Sequence, residues 1–227
     1  MSRFLSACTL AASLVAGPAV AECKLALIFA MDISSSVDSV EYRLQMDGLA
    51  TALESPGVIN AILTPEGEHI AVAAYEWSGY QQQDLLTDWV VLDSEASIRG
   101  YAARLRAHRR PYAEFATAIG KGIQFGAALM RQAPDCRRRV IDVSGDGQNN
   151  DGVGPDYFYA AGLLDGITVN GLVILGAVPD PARYYMRYVV HGEDAFIVQA
   201  ASFEDYRRAM IEKLLRELQA EMVMGQR

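Results

Sequence analysis

The segment Asp32-Ile33-Ser34-Ser35-Ser36 follows a continuous apolar run and sets one carboxylate and two hydroxyls at alternate positions. Hard divalent cations take oxygen ligands, and Mg²⁺ keeps several of its waters in an octahedral shell, so a few carboxylates and hydroxyls suffice to hold one. Ser34 and Ser36 could bind an ion directly, with Asp32 supplying charge directly or through a bound water. As local structure alone, a Ser-rich stretch after Asp is also a common helix cap, a role open to Ser36. The chain offers no Gly-x-Ser-x-Gly elbow, P-loop, His-Glu-x-x-His pair or Asp-x-Asp nucleophile motif. His69, His108 and His191 show no ligand spacing and read as structural or surface residues.

These groups need a frame to position them. Leu25–Met31 is apolar throughout, as expected of a central strand covered on both faces, and Arg139–Ser144 and Ile167–Leu175 read the same way. Ile70–Trp77 is a further strand, and Ser78-Gly79-Tyr80 turns the chain into Leu85–Leu92, expected antiparallel at the edge. Phe196–Gln199 is a short last strand. Apolar spacing predicts helices over Val37–Leu53, which breaks at Ser55-Pro56-Gly57, over Ser94–Ala107, over Ala116–Arg131 and over Tyr157–Leu164. Ser202 is expected to cap a final helix through about Met222, with Glu204 and Asp205 in its acidic first turn. Strands alternating with helices imply a doubly wound, mainly parallel α/β sheet with helices on both faces. Ligands of such sheets bind beyond the carboxyl ends of the strands, where Asp32, Trp77, Asp146 and Gly176 would share one edge.

With the elements in this order, the sequence resembles the von Willebrand factor A (vWA) domains, whose metal ion-dependent adhesion site (MIDAS) carries Asp-x-Ser-x-Ser after the first strand. Thr117-Ala118-Ile119-Gly120-Lys121-Gly122-Ile123 is similar to that family's Thr-x-Thr-Gly-x-Ala-Leu, and Asp146-Gly147 to its Asp-Gly after the fourth strand. The resemblance covers most of the chain after residue 21, and more narrowly it points to the bacterial exported proteins grouped as DUF1194. It implies a metal ligand set of Asp32, Ser34, Ser36, Thr117 and Asp146, and a six-stranded sheet in the order 3-2-1-4-5-6. The chain departs from the pattern at Ile119, which stands in place of the second threonine. It departs again at Gly145, which separates Ser144 from Asp146 where the family has Thr or Ser directly before Asp. Asp142 alternates onto the face of Ser144 and reads first as a buried, hydrogen-bonded carboxylate rather than one supporting a metal.

Residues 1–21 read as a cleaved signal peptide, with Arg3 in its n-region, an apolar stretch Leu5–Ala16 and a cleavage site Ala19-Val20-Ala21. The domain then spans residues 22–222, with 223–227 a frayed end. No later segment is long and apolar enough to span a membrane, so a periplasmic or secreted location is expected. The whole chain carries a net charge of −8, and loss of Arg3 makes the remainder one unit more acidic, which disfavours nucleic acid as a partner. The basic stretches Arg104–Arg110 and Arg137–Arg139 read mainly as solvated element ends. Cys23 and Cys136 each precede a buried strand. If those strands are parallel neighbours, as the implied order makes them, the two cysteines can bridge, with two free thiols as the alternative.

The expected function is a binding module holding one divalent cation, Mg²⁺ first and Mn²⁺ or Ca²⁺ as alternatives. An Asp or Glu of a protein partner would complete the coordination. A metal-dependent hydrolase of phosphoester-like substrates and a metal-free structural subunit are the competing readings. Candidate partner contacts on the same edge are Trp77, Tyr80, Asn149, Asn150 and the stretch from Pro179 to Tyr185, Tyr184 among them, although Trp77 at a strand end is more often a core position.

Overall fold

A computed structural model describes residues 22–224, with side chains through Leu218. The expected signal peptide, 1–21, lies outside the described residues, as do 225–227 of the expected frayed end. Six strands form one sheet in the order β3-β2-β1-β4-β5-β6. They are β1 (Glu22–Asp32), β2 (Glu68–Trp77), β3 (Gln83–Leu92), β4 (Arg138–Gly145), β5 (Thr168–Ile174) and β6 (Ile197–Ala200). Only β2 and β3 pair antiparallel; the other four pairings are parallel. The expected order and the single antiparallel edge strand are therefore both present.

β1 is buried along its whole length except Glu22, because it runs between β2 and β4 with helices on either side. Leu25, Leu27, Phe29 and Met31 point into one core layer, against α1 (Ser39–Leu53), α2 (Pro56–Leu63), α3 (Glu95–Ala107) and α7 (Tyr206–Met224). Ala26, Ile28 and Ala30 point into the other, against α4 (Ile119–Met130), α5 (Pro155–Ala160) and the segment after β5. This alternation between two apolar layers is the physical reason a strand with no polar face is stable here.

Three local readings are corrected, at Pro56, Ser202 and Ser36, and one further helical stretch is added after β5. Ser55-Pro56-Gly57 ends α1 but also starts α2: Pro56 sits in the first turn, where its missing N–H costs no hydrogen bond, and Val58, Ile59 and Ile62 are buried. The stretch after β5 is helical, as α6 (Pro181–Tyr184) running into a π-helical turn over Tyr185–Val189. Asp180 caps it by accepting from the Ala182 N–H at 2.9 Å. Ser202 makes no side-chain cap; a 3₁₀ turn, Phe203–Asp205, leads into α7, and Asp205 accepts from the Ala201 N–H at 2.9 Å. At α1 the cap is Asp38 rather than Ser36, in a reciprocal box with Glu41.

Asp142 is a structural carboxylate. Completely buried on β4, it pairs with the Lys213 ammonium of α7, which also donates to Glu217 at 3.0 Å. Glu217 accepts in turn from Asn170 of β5 at 2.6 Å. This polar cluster fastens α7 across β4 and β5. Burial pushes the Asp142 carboxyl up to about 8 despite the lysine beside it.

Cys23 and Cys136 form a disulfide with their Cα atoms 4.6 Å apart, joining the starts of β1 and β4 across 113 residues of sequence. Cross-linking so long a loop restricts the unfolded chain more than the folded one. The Cys23→Ser/Cys136→Ser double variant is expected to lose about 2–5 kcal/mol of unfolding free energy. Denaturant unfolding checks this, and an unchanged midpoint would mean that the bridge contributes nothing.

Candidate metal-binding site

Asp32 is the last residue of β1, and its side chain is completely buried. Its Oδ1 accepts from the Ser34 N–H at 2.8 Å, while Oδ2 is buried without a hydrogen-bond partner. Two residues on, the Ser34 and Ser36 hydroxyls are 3.2 Å apart, and Ser36 donates to Asp146 Oδ1 at 2.8 Å. Thr117 borders the residue after Asp146: a Cβ built on Gly147 would sit 3.8 Å from the Thr117 Oγ1. The structure thus brings Asp32, Ser34, Ser36 and Asp146 together at the carboxyl ends of β1 and β4, with Thr117 beside Gly147 next to them. Among the described residues no three His, Cys, Asp or Glu side chains form a metal cluster; the donors assembled here are two carboxylates and three hydroxyls.

The loop that carries this set is held at several points. Ile33 donates its N–H to the Trp77 carbonyl at 2.9 Å and Ser35 donates to that of Phe115 at 2.8 Å. Gln45, buried on α1, donates to the Asp32 carbonyl at 3.0 Å, and Arg110 Nη2 donates to the carbonyls of Ile33 and Ser34 at 2.8 and 3.0 Å. Gln45 and Arg110 are site-positioning residues that sequence reading did not single out. The available signal for Gln45 was a polar residue four before Leu49 on the inner face of α1.

Electrostatically the site is short of positive charge. Burial first and the neighbouring Asp146 charge second push the Asp32 carboxyl up to about 7, against the weaker pull of Ser34 and Arg110. Asp146 is raised as well, again chiefly by burial. Two carboxylates that resist ionisation beside each other, one with a bare oxygen, fit a bound cation, which would relieve both penalties.

The departures from the adhesion-site pattern have local causes. Ile119 is completely buried in the second core layer at the start of α4, where it packs instead of donating a hydroxyl. A Cβ on Gly145 would lie 2.4 Å from the Tyr185 hydroxyl and 2.8 Å from Asp32 Oδ2, so no side chain fits between Ser144 and Asp146. Gly120 has a similar reason: a Cβ there would meet the Val153 carbonyl oxygen at 2.2 Å.

Among the partner-contact candidates, Trp77 is overturned: it is completely buried in the second core layer. Tyr185 is likewise buried, beneath the site, with its hydroxyl unpartnered. Asn149 and Asn150 both commit their side-chain oxygens to backbone N–H groups, while Asn150 is itself exposed. Asn150 Oδ1 accepts from the Thr117 N–H at 2.8 Å, and Asn149 Oδ1 from that of Gly120 at 3.1 Å. Tyr80 remains exposed, with the Lys121 ammonium 4.4 Å from its ring centre. Tyr184 is half-buried, its ring 5.0 Å from that of Tyr188.

Residues 22–222 match the family model described as "Protein of unknown function (DUF1194)". This chain belongs to the DUF1194 family. No curated protein sequence matches it. The DUF1194 chain has the vWA fold, as its likeness to solved structures shows. One is proximal thread matrix protein 1 of the mussel byssus with a zinc-occupied MIDAS motif, at TM-score 0.60 and 17% identity, covering 87% of this chain and 46% of that one. Another is a von Willebrand factor type A structure from Catenulispora acidiphila, at TM-score 0.59 and 14% identity over 87% and 43%. A third is the pilus adhesin SpaC of Lactobacillus rhamnosus GG, at TM-score 0.58 and 12% identity over 87% and 30%. The DUF1194 chain therefore spans less than half the length of each of these proteins.

The crowding at Gly145 is testable. Gly145→Ala is expected to lower stability by about 1–3 kcal/mol, as overpacking of a filled site does. Adding Tyr185→Phe, which removes the closest atom, should recover part of that loss in thermal or denaturant unfolding. A double variant no more stable than Gly145→Ala would exonerate the Tyr185 hydroxyl as the source of the clash.

Proposed function

We propose that this protein is an exported binding module that holds one divalent cation through Asp32, Ser34, Ser36, Thr117 and Asp146 and uses it to engage a protein partner. The observation that carries the reading is the buried, unpartnered Asp32 Oδ2 in a chain of oxygens that runs through Ser34 and Ser36 to Asp146. When bound, the ion would supply a Lewis-acidic position that an Asp or Glu side chain of the partner can complete. The all-oxygen donor set favours a hard ion, Mg²⁺ first, with Mn²⁺ or Ca²⁺ also compatible. A MIDAS motif that holds zinc in the mussel protein supports divalent binding by the same fold.

Each residue has a distinct part. Asp32 and Asp146 provide the negative charge, and the Ser34, Ser36 and Thr117 hydroxyls provide neutral oxygens that leave the ion attractive to a further anion. Gln45 and Arg110 hold the loop backbone so that the hydroxyls need not reorganise when an ion arrives. Tyr80 is the exposed aromatic on this edge and the first candidate for contact with the partner, alongside the half-buried Tyr184. The disulfide and the resemblance to exported proteins favour a periplasmic or secreted setting. Among the described residues no helix is long and apolar enough to cross a membrane.

Thermal unfolding of residues 22–227, first in EDTA and then with Mg²⁺, Mn²⁺ or Ca²⁺, tests the ion. A ligand specific for the native state adds about 1.4 kcal/mol of stability for each tenfold of free concentration above its dissociation constant. The wild type is expected to show this graded shift and Asp32→Ala and Asp146→Ala to lose it. A wild-type curve indifferent to all three ions would refute the metal reading. Partner capture that persists in chelator and in Asp32→Ala would refute the role of the ion in binding.

A further inference from the structure

The sequence contains a basic stretch, Arg104–Arg110, of which the metal site engages only Arg110. Where α3 ends, the chain from Arg106 to Arg110 folds against the start of α1 and lines a cleft of about 410 Å³ together with Ser39 and Arg43. Two acidic groups at this cleft are engaged by direct contacts, while Asp47 acts on Arg106 and Asp32 on Arg110 only through space. Glu54 takes the Arg106 guanidinium at 2.6 Å, and Glu76, completely buried, faces His108 at 3.1 Å and accepts from the Tyr42 hydroxyl at 2.6 Å. Arg43, Arg109 and Arg110 form no ion pair among the described residues, in a chain whose net charge is −8.

Two of these three arginines are held in place rather than left to sweep through solvent. Arg43 donates through Nη1 to the Arg106 carbonyl at 3.2 Å and through Nη2 to the His108 carbonyl at 3.1 Å. Arg110 is anchored by the carbonyls of Ile33 and Ser34. Both guanidiniums also lie against the Tyr42 ring, 5.6 and 5.8 Å from its centre. A guanidinium has five donors, so these contacts leave several on each side chain unspent, and Arg110 Nε is buried with no hydrogen-bond partner. Fixed planar donors without a counter-ion are the arrangement that recognises an anion with several oxygens, because little ordering entropy remains to be lost when it binds.

We propose that the cleft formed by Ser39, Arg43, Arg109 and Arg110 is an oxyanion-binding site, separate from the five oxygens of the metal site and joined to them by Arg110. Its ligand is a group with at least two acceptor oxygens. That group is either a free phosphate or the carboxylate of a larger molecule. Arg43 and Arg110 supply oriented donors, Arg109 supplies mobile charge at the mouth, and the Ser39 hydroxyl is available as a neutral donor.

The test is calorimetric titration of the full chain after residue 21, stripped of metal with EDTA and then dialysed free of the chelator, whose own carboxylates would compete for the cleft. Inorganic phosphate and succinate are the two probes, with sodium chloride at matched ionic strength as the reference. Saturable binding of either probe is expected; tighter phosphate identifies a phosphoryl site and succinate at least as tight identifies a carboxylate site. Arg109→Gln, which removes a side chain with no hydrogen bond of its own and so leaves the fold intact, should weaken binding about tenfold. Arg43→Lys keeps the charge but loses the fork and should also weaken it, whereas Arg139→Gln, on the remote end of β4, should not. Heats no larger than those of chloride, or affinities unchanged in both Arg109→Gln and Arg43→Lys, would overturn the proposal.

Discussion

A carboxylate at the end of the most buried strand is the constraint around which the rest of this molecule is arranged. Asp32 has no exposure to solvent, one of its oxygens has no partner, and a second carboxylate, Asp146, stands close enough to raise its proton affinity. Burying such a group costs several kcal/mol unless something compensates it. An apolar residue in its place would be more stable, so the frame must carry this cost from elsewhere. It does so with two complete apolar layers, one on each face of β1, and with a covalent bridge at the opposite end of the same strand.

The topology decides where the cost falls. In a parallel sheet the loops that leave the carboxyl ends of β1 and β4 meet at the point where the winding reverses, so side chains far apart in sequence converge there without a long excursion of either loop. Ser36 reaches Asp146 across 110 positions by this route. The loops themselves are short of regular structure, and their rigidity comes from backbone hydrogen bonds to neighbours: Ile33 to Trp77, Ser35 to Phe115, Ala118 to Ser78, Asn150 to Thr117. Trp77 contributes to the site through its carbonyl while its ring fills the core. A strand-end aromatic can thus serve a site without touching its ligand.

Much of this was legible in the sequence because it rests on periodicity and on strand-end chemistry. A run such as Leu25–Met31 admits only a doubly covered strand, and two such runs preceded by cysteines suggest a bridge once their adjacency is granted. What was not legible depended on contacts between distant segments. Pro56 reads as a breaker and serves as a helix start; the difference is the apolar face of Val58, Ile59 and Ile62, which only α7 and the sheet make worth burying. Asn149 and Asn150 look like plain loop residues until their side-chain oxygens are seen to accept from the Gly120 and Thr117 N–H groups. The π-helical turn at Tyr185–Val189 has no local sequence signature, yet it sets the Tyr185 ring beneath Asp32.

That ring and Gly145 are best understood together. Placing a phenol under the site requires the residue before Asp146 to lack a side chain, and the glycine that results is, with Ile119, one of two points at which this chain leaves the adhesion-site pattern. The departure therefore exchanges a hydroxyl beside Asp146 for a buried hydroxyl on another element, pointing at the same region. Arg110 makes a comparable link on the other flank, since one guanidinium holds the carbonyls of Ile33 and Ser34 and also lines the basic cleft. An anion in the cleft and a cation beside Asp32 would both face this one guanidinium. The two proposed sites would then be coupled through a single side chain, with each ligand altering the field that the other meets.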